Sequence, residues 1–199
     1  IYMHVQQTHI SGGKLIRHEF IATCEDSLLL IIDFQQSMLK VIGDWKSMAD
    51  KVSQLIKAAN CLEVPILLTE QYSKGLGATI PEVIEKIQSP QVVEKEHFSA
   101  CLEPEFLSLI RKIGRSKIVV VGMETHVCVL QTCLDLIKAG FQVHLGADAV
   151  ASRVSENRDL AIALLRDAGA VISSTEIVIF QWARCANTDK FRKILPIVK

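Results

Sequence analysis

The sequence predicts one α/β domain, a three-layer α/β/α sandwich around a mainly parallel sheet. Three observations predict it. Apolar runs at 28–32, 64–68 and 118–121 lack polar alternation, as strands buried on both faces do. Segments with apolar residues at helical spacing lie between them. Three of those segments stop at a glycine (Gly114, Gly140 or Gly169) and a strand begins at once, the pattern of helices closed by a left-handed residue. A chain of 199 residues suffices for one well-buried domain and is short for two.

The elements follow in order. A polar leader, 1–26, precedes the domain proper, 27–199. Its first strand, 27–33, ends on Asp33. Met48, Val52, Leu55, Ile56 and Ala59 share one face of a helix over 47–62. Strand 64–68 runs into Thr69, Glu70, Gln71 and Tyr72, and Gly75 and Gly77 mark a loop. Thr79, Ile80, Pro81 and Glu82 read as a capping box that opens a short helix. Strand 91–94 delivers Lys95, and Pro104 opens a helix that Gly114 closes. Strand 117–121 turns at Gly122 into a helix over 127–139, with Val127, Leu130, Leu134 and Ile137 on one face. Strand 141–145, helix 156–168 capped by Ser155, and strand 170–172 complete the sheet. The apolar helix 177–183 is a candidate surface for self-association.

Composition excludes several classes. Lys and Arg number 22, as do Asp and Glu, and 49% of residues are hydrophobic. No basic excess points to nucleic acid and no polybasic tract to a membrane surface. The apolar run at 28–32 is far too short to span a bilayer. The first 27 residues lack the apolar centre of a signal peptide. The cysteines at 24, 61, 101, 128, 133 and 185 are dispersed without CxxC spacing, which fits free thiols in a reducing, cytoplasmic setting.

In open parallel sheets ligands bind beyond the carboxyl ends of strands. The residues there are Asp33, Thr69 to Tyr72, Lys95, and Met123 to Cys128. A carboxylate, an ammonium and a thiol thus arrive from three separate strands. Each alone has a plain structural explanation: a turn cap, a solvated charge between Glu94 and Glu96, a small core residue. Their joint occurrence points to chemistry. Cys128 falls about one turn into its helix, where the dipole and unpaired N–H groups would lower a thiol's pKa. The turn after Asp33 lacks the glycines of a dinucleotide or phosphate loop, and no GxSxG elbow exists. The histidines show no metal-ligand spacing. His126, two residues before the thiol, is free to orient a neighbour or simply to bond locally.

These residues carry a resemblance. The stretches Leu30-Ile-Ile-Asp33-Phe-Gln35, Leu68-Thr-Glu-Gln-Tyr72 with Gly75-Leu-Gly77, Lys95-Glu-His-Phe-Ser99 and Gly122-Met-Glu-Thr-His-Val-Cys128 are similar to those of the isochorismatase-like cysteine hydrolases. So are Asp148-Ala149, Ser152-Arg153 and Ser173-Ser-Thr-Glu176. The likeness spans about 27–183 and looks nearest to the metal-free, isochorismatase domain-containing branch, with its Rossmann-like sheet. The resemblance implies an Asp33–Lys95–Cys128 triad and a non-proline cis peptide between Met123 and Glu124. It also implies an oxyanion hole from the backbone N–H groups of Glu124 and Cys128, and self-association into a homo-oligomer. Residues 69–72 lack the histidine of the nicotinamidase metal cluster, so neither a metal nor a cofactor is expected. A cysteine at 128 favours acyl transfer over the vinyl-ether hydrolysis of true isochorismatases.

The expected activity is therefore hydrolysis of a small amide or related C–N bond through a thioester on Cys128. Phe34, Tyr72 and Phe98 are candidate pocket walls, and Gln35 and Gln71 candidate partners for the substrate's polar end. Two other readings stay open. One is a redox-active thiol with Cys101 or Cys133 as resolver, and the other a non-catalytic interaction module.

Overall fold

A computed structural model of the chain describes residues 17–199. The sequence expectation for a leader therefore lies largely outside the described residues. Its last stretch packs on the domain: Ala22 is buried, and its N–H donates to Gln181 Oε1 at 2.9 Å.

Six strands form one parallel sheet: β1 (Ser27–Ile32), β2 (Ile66–Gln71), β3 (Gln91–Lys95), β4 (Lys117–Met123), β5 (Gln142–Ala151) and β6 (Val171–Ser173). The helices are α1 (Trp45–Leu62), the single turns α2 (Ser73–Leu76) and α3 (Pro81–Ile84), then α4 (Phe106–Ile113) and α5 (Leu130–Lys138). They continue with α6 (Ser155–Asp167), α7 (Thr175–Ala183) and α8 (Asp189–Val198). The strand order is β3-β2-β1-β4-β5-β6, the doubly wound order that reverses direction between β1 and β4.

Period-two alternation along each strand divides the core between the faces. Leu29, Ile31, Val119, Val121 and Met123 pack against α1, α7 and α8. Leu28, Leu30, Ile32, Ile118 and Val120 pack against α4, α5 and α6. Three layers result. No helix among the described residues is long and apolar enough to cross a membrane.

Several local expectations are corrected. Strand β5 runs to Ala151 because its register shifts: Val120 pairs with Leu145, but Gly122 pairs with Val150. The small residues of that extension hid it from a periodicity reading. Gly122 takes φ +123° and sits so close to β1 that a Cβ would lie 2.1 Å from the Ile32 carbonyl oxygen. No other residue fits there. Thr79 caps nothing; Ile80 is the N-cap of α3, and Thr79 donates from N and Oγ1 to Glu70 Oε1 at 2.7 Å each. Ser155 lies inside α6, after Val154. The buried face of α5 carries Cys133 and Leu136, while Leu134 is exposed. Helix α7 buries Val178, Ile179 and Trp182, which leaves only Ile177 and Phe180 as exposed large apolar residues on that candidate surface. Helix α8, for which the sequence reading offers no element, packs Phe191, Ile194, Ile197 and Val198 onto the α1-side core despite its internal Pro196. Its N-cap, Thr188, accepts from Phe191 N at 3.1 Å.

Candidate active site

A crevice opens where the strand order reverses, beyond the carboxyl ends of β1 and β4. Asp33 follows β1 directly and adopts φ +49°, a left-handed conformation that costs a non-glycine residue about 1–2 kcal/mol. Its surroundings hold it there. Its N–H donates to Thr69 O at 3.1 Å, and its Oδ1 accepts from Thr69 Oγ1 at 2.6 Å. Oδ2 meets the Lys95 ammonium at 2.8 Å, with both side chains buried. Lys95, the last residue of β3, pairs in register with Gln71 of β2. Its Nζ also donates to Gln71 Oε1 at 2.6 Å and to the carbonyls of His97 and Phe98 at 3.2 and 3.3 Å. A buried ammonium needs such a set of acceptors to offset its lost hydration.

Cys128 lies in a wide (π) turn, Thr125–Val129, that precedes α5. The Val127 and Val129 N–H groups donate back to the Glu124 carbonyl at 3.1 and 3.2 Å, with the Cys128 amide between them. The Met123–Glu124 peptide is cis. The thiol donates to Gln71 Oε1 at 3.9 Å, and the charges of Asp33 and Lys95 also act on it. Burial, reinforced by the Asp33 carboxylate and opposed by Lys95, pushes the Cys128 thiol up to about 12. This overturns the expectation of a lowered pKa: the turn stands at a helix end, but Cys128 is 7% exposed, and lost hydration outweighs the dipole. The resting site holds a neutral thiol.

Asp33 and Cys128 line one pocket of about 150 Å³ with Met38, Gln71, Leu76, Phe98, Met123, Glu124, Val127 and Arg153. Of the anticipated pocket residues, Phe98 and Gln71 are in this wall. Phe34 is not: it is fully buried in the α1-side core. Tyr72 is exposed at φ +38° and lies outside the pocket. Gln35 is fully buried and cannot touch a ligand. Its Nε2 donates to Gln71 O and Gly77 O at 3.0 and 2.6 Å, and its Oε1 accepts from Gln71 N at 2.8 Å. Gln35 thereby clamps the backbone that presents Gln71 to Lys95 and Cys128. His126 takes the local role: its Nδ1 bonds Ser152 Oγ at 2.9 Å.

Met38, Leu76 and Val127 are pocket residues that sequence reasoning missed, and so is the one charged addition, Arg153. Its Nη1 bonds Glu124 Oε1 at 3.0 Å and its backbone N–H bonds Glu124 Oε2 at 2.9 Å. The Ser152-Arg153 pair was visible as a motif, but its place at the rim depends on the bulged end of β5.

Comparison with known proteins agrees with the geometry. The isochorismatase domain family matches residues 27–177. Isochorismatase family protein 1B of Dictyostelium discoideum is 37% identical over 180 residues, 88% of this chain and 87% of the relative. Isochorismatase domain-containing protein 2A of mouse is 37% identical over 180 residues, covering 88% and 84%. Among solved structures, the MAR1 ribonuclease of Caenorhabditis elegans superposes with TM-score 0.83 at 32% identity, covering 89% of this chain and 91% of that one. A matched family domain that occupies most of the chain, on the doubly wound sheet described above, makes this protein a member of the isochorismatase family of hydrolases.

Proposed function

We propose that this chain is an amidohydrolase that cleaves a small amide or related C–N bond through a thioester on Cys128. One observation carries the reading: a buried Asp33 carboxylate, paired with Lys95, lines the same pocket as a buried, protonated thiol. As the substrate carbonyl approaches, Asp33 takes the Sγ proton and sulfur bonds to the carbonyl carbon. Lys95 holds the carboxylate in place and balances the charge that forms on sulfur. The backbone N–H groups of Glu124 and Cys128 receive the oxyanion, each such donor lowering the barrier by about 3–4 kcal/mol. The C–N bond breaks as Asp33 returns the proton to the departing nitrogen. Water then gives a proton to Asp33 and its oxygen to the acyl carbon, the C–S bond breaks, and the thiol is regenerated. Every proton moves among Asp33, sulfur, the leaving amine and water, so the cycle needs no metal or cofactor.

The alternative of a redox thiol fits less well. Burial pushes Cys101 up to about 12, with Asp135 adding to it, and pushes Cys133 up as well, so each candidate resolver stays protonated and slow to react. A ribonuclease activity, which the name of the C. elegans structure carries, meets a pocket too small for a nucleotide and a chain of zero net charge. All six cysteines are free thiols, which supports a reducing, cytoplasmic setting. The exposed Leu160, Leu164, Ile177 and Phe180 support self-association, which sedimentation would register as a mass above 22.1 kDa.

The test is ammonia release from small primary amides by the wild type and by Cys128→Ala. Loss of turnover by about ten-thousand-fold in the variant is expected. Undiminished turnover, or RNA cleavage that depends on Cys128, would overturn the proposal.

A further inference from the structure

The pocket itself narrows the substrate, granted the amidohydrolase reading above. Its ionised groups are matched two by two: Asp33 with Lys95, and Glu124 with Arg153. The nucleophile is neutral at rest. The pocket therefore carries no net charge. Neither carboxylate is free to receive a cationic substrate, because each already faces a cation at 2.8 or 3.0 Å. The Arg153 guanidinium is bound to Glu124, so an anionic substrate would meet a carboxylate as well as a cation at the rim.

The rest of the wall is apolar: Met38, Leu76, Phe98, Met123 and Val127. Leu76 and Met38 come from segments that the buried Gln35 ties together, its Nε2 donating to Gly77 O at 2.6 Å and its carbonyl accepting from Met38 N at 3.1 Å. Glu70 holds Thr79 from below. That wall is braced at both ends by buried hydrogen bonds, so it does not open freely to admit a larger group. The volume, about 150 Å³, equals roughly five waters at about 30 Å³ each, and so about five or six heavy atoms of a solute.

We propose that the substrate is an uncharged amide with a short aliphatic acyl chain, in the size range from acetamide to butyramide. Its carbonyl sits at Cys128 and its chain lies against Met38, Leu76 and Phe98. The amide nitrogen leaves as ammonia or a small amine toward Asp33. Phe98 sets the chain-length limit, because it lines the pocket on one face and is half-exposed on the other.

The test uses the purified full-length enzyme and compares kcat/KM for acetamide, propionamide, butyramide, hexanamide, benzamide, succinamate and glycinamide. Propionamide or butyramide is expected to lead. Benzamide, the anionic succinamate and the cationic glycinamide are expected to trail by about a hundred-fold or more, since unmatched charge and excess volume are both rejected at such a site. Phe98→Ala is expected to move the preference toward hexanamide by about ten-fold or more, the worth of a methylene or more in an apolar pocket. Faster turnover of succinamate, glycinamide or benzamide than of the short amides would overturn this assignment while leaving the amidohydrolase reading intact. An unchanged chain-length preference in a folded Phe98→Ala protein would remove Phe98 from its role. Absence of ammonia and of any Cys128 adduct with all seven amides would overturn both.

Discussion

Two carboxylates, Asp33 and Glu124, line the same small pocket, and the ion pairs they form differ in almost every physical respect. Lys95 and Asp33 meet at 2.8 Å with side chains 0% and 4% exposed. Arg153 and Glu124 meet at 3.0 Å, with Glu124 at 5% but Arg153 at 56%. In the first pair each charge depends on the other, because burial has removed the water that would otherwise solvate it. In the second, solvent screens the arginine, and Glu124 keeps the Arg153 backbone N–H whatever the side chain does. The first pair is thus bound to the fold and the chemistry together, and the second trims the rim.

The largest effect follows from breaking the first pair. Lys95→Ala leaves Asp33 charged, buried and unmatched, and is expected to cost about 3–5 kcal/mol in urea unfolding together with turnover. A buried titratable group without any partner sharpens the contrast. His144 is fully buried, and neither ring nitrogen has a hydrogen-bond partner among the described residues. Burial, with Lys117 adding to it, lowers its pKa from 6.5 to about 4. The unfolded chain takes up that proton first, so stability is complete above pH 6.5 and falls as pH drops toward 4. The loss amounts to about 3 kcal/mol, and His144→Phe is expected to flatten this slope in thermal melts recorded across pH.

A smaller effect is expected from Gln35→Ala, which strands Gln71 N, Gln71 O and Gly77 O. A cost of about 1–3 kcal/mol is expected in the same unfolding assay. Because Gln71 then loses its hold on Lys95 and Cys128, kcat should fall more than KM rises. Smallest is Arg153→Ala, at about 1 kcal/mol or less, with whatever effect it has fading in half-molar salt. If Arg153→Ala destabilised the protein as much as Lys95→Ala, the distinction between the two pairs would collapse.

The parts of this site that were legible in the sequence are those fixed by local pattern. Asp33, Lys95 and the segment 123–128 each terminate a strand, and the ends of parallel strands face one way, so their convergence could be anticipated from three separated motifs. The layers were legible for the same reason, since unbroken apolar runs admit few other environments. What stayed hidden depends on contacts distant in sequence. Gln35 looked like a ligand-binding amide because nothing local reveals that its partners sit 36 and 42 residues away. Phe34 looked like a pocket wall because a one-residue shift along the chain, from Asp33 to Phe34, decides between crevice and core. The thiol was misjudged because a helix start is visible in sequence and burial is not. Arg153 required the register shift in β5, which no local sequence pattern announces.

The central claim is that Cys128 forms a covalent acyl bond with its substrate while Asp33 and Lys95 manage the proton. Intact-mass and peptide mass spectrometry after rapid acid quench, with butyramide as substrate, tests it most directly. A butyryl thioester on Cys128, labile to hydroxylamine and absent from Asp33→Asn and Lys95→Met proteins that still fold, is the expected result. Ammonia release at full rate with no acyl group on Cys128, or an equal adduct in both variants, would contradict it.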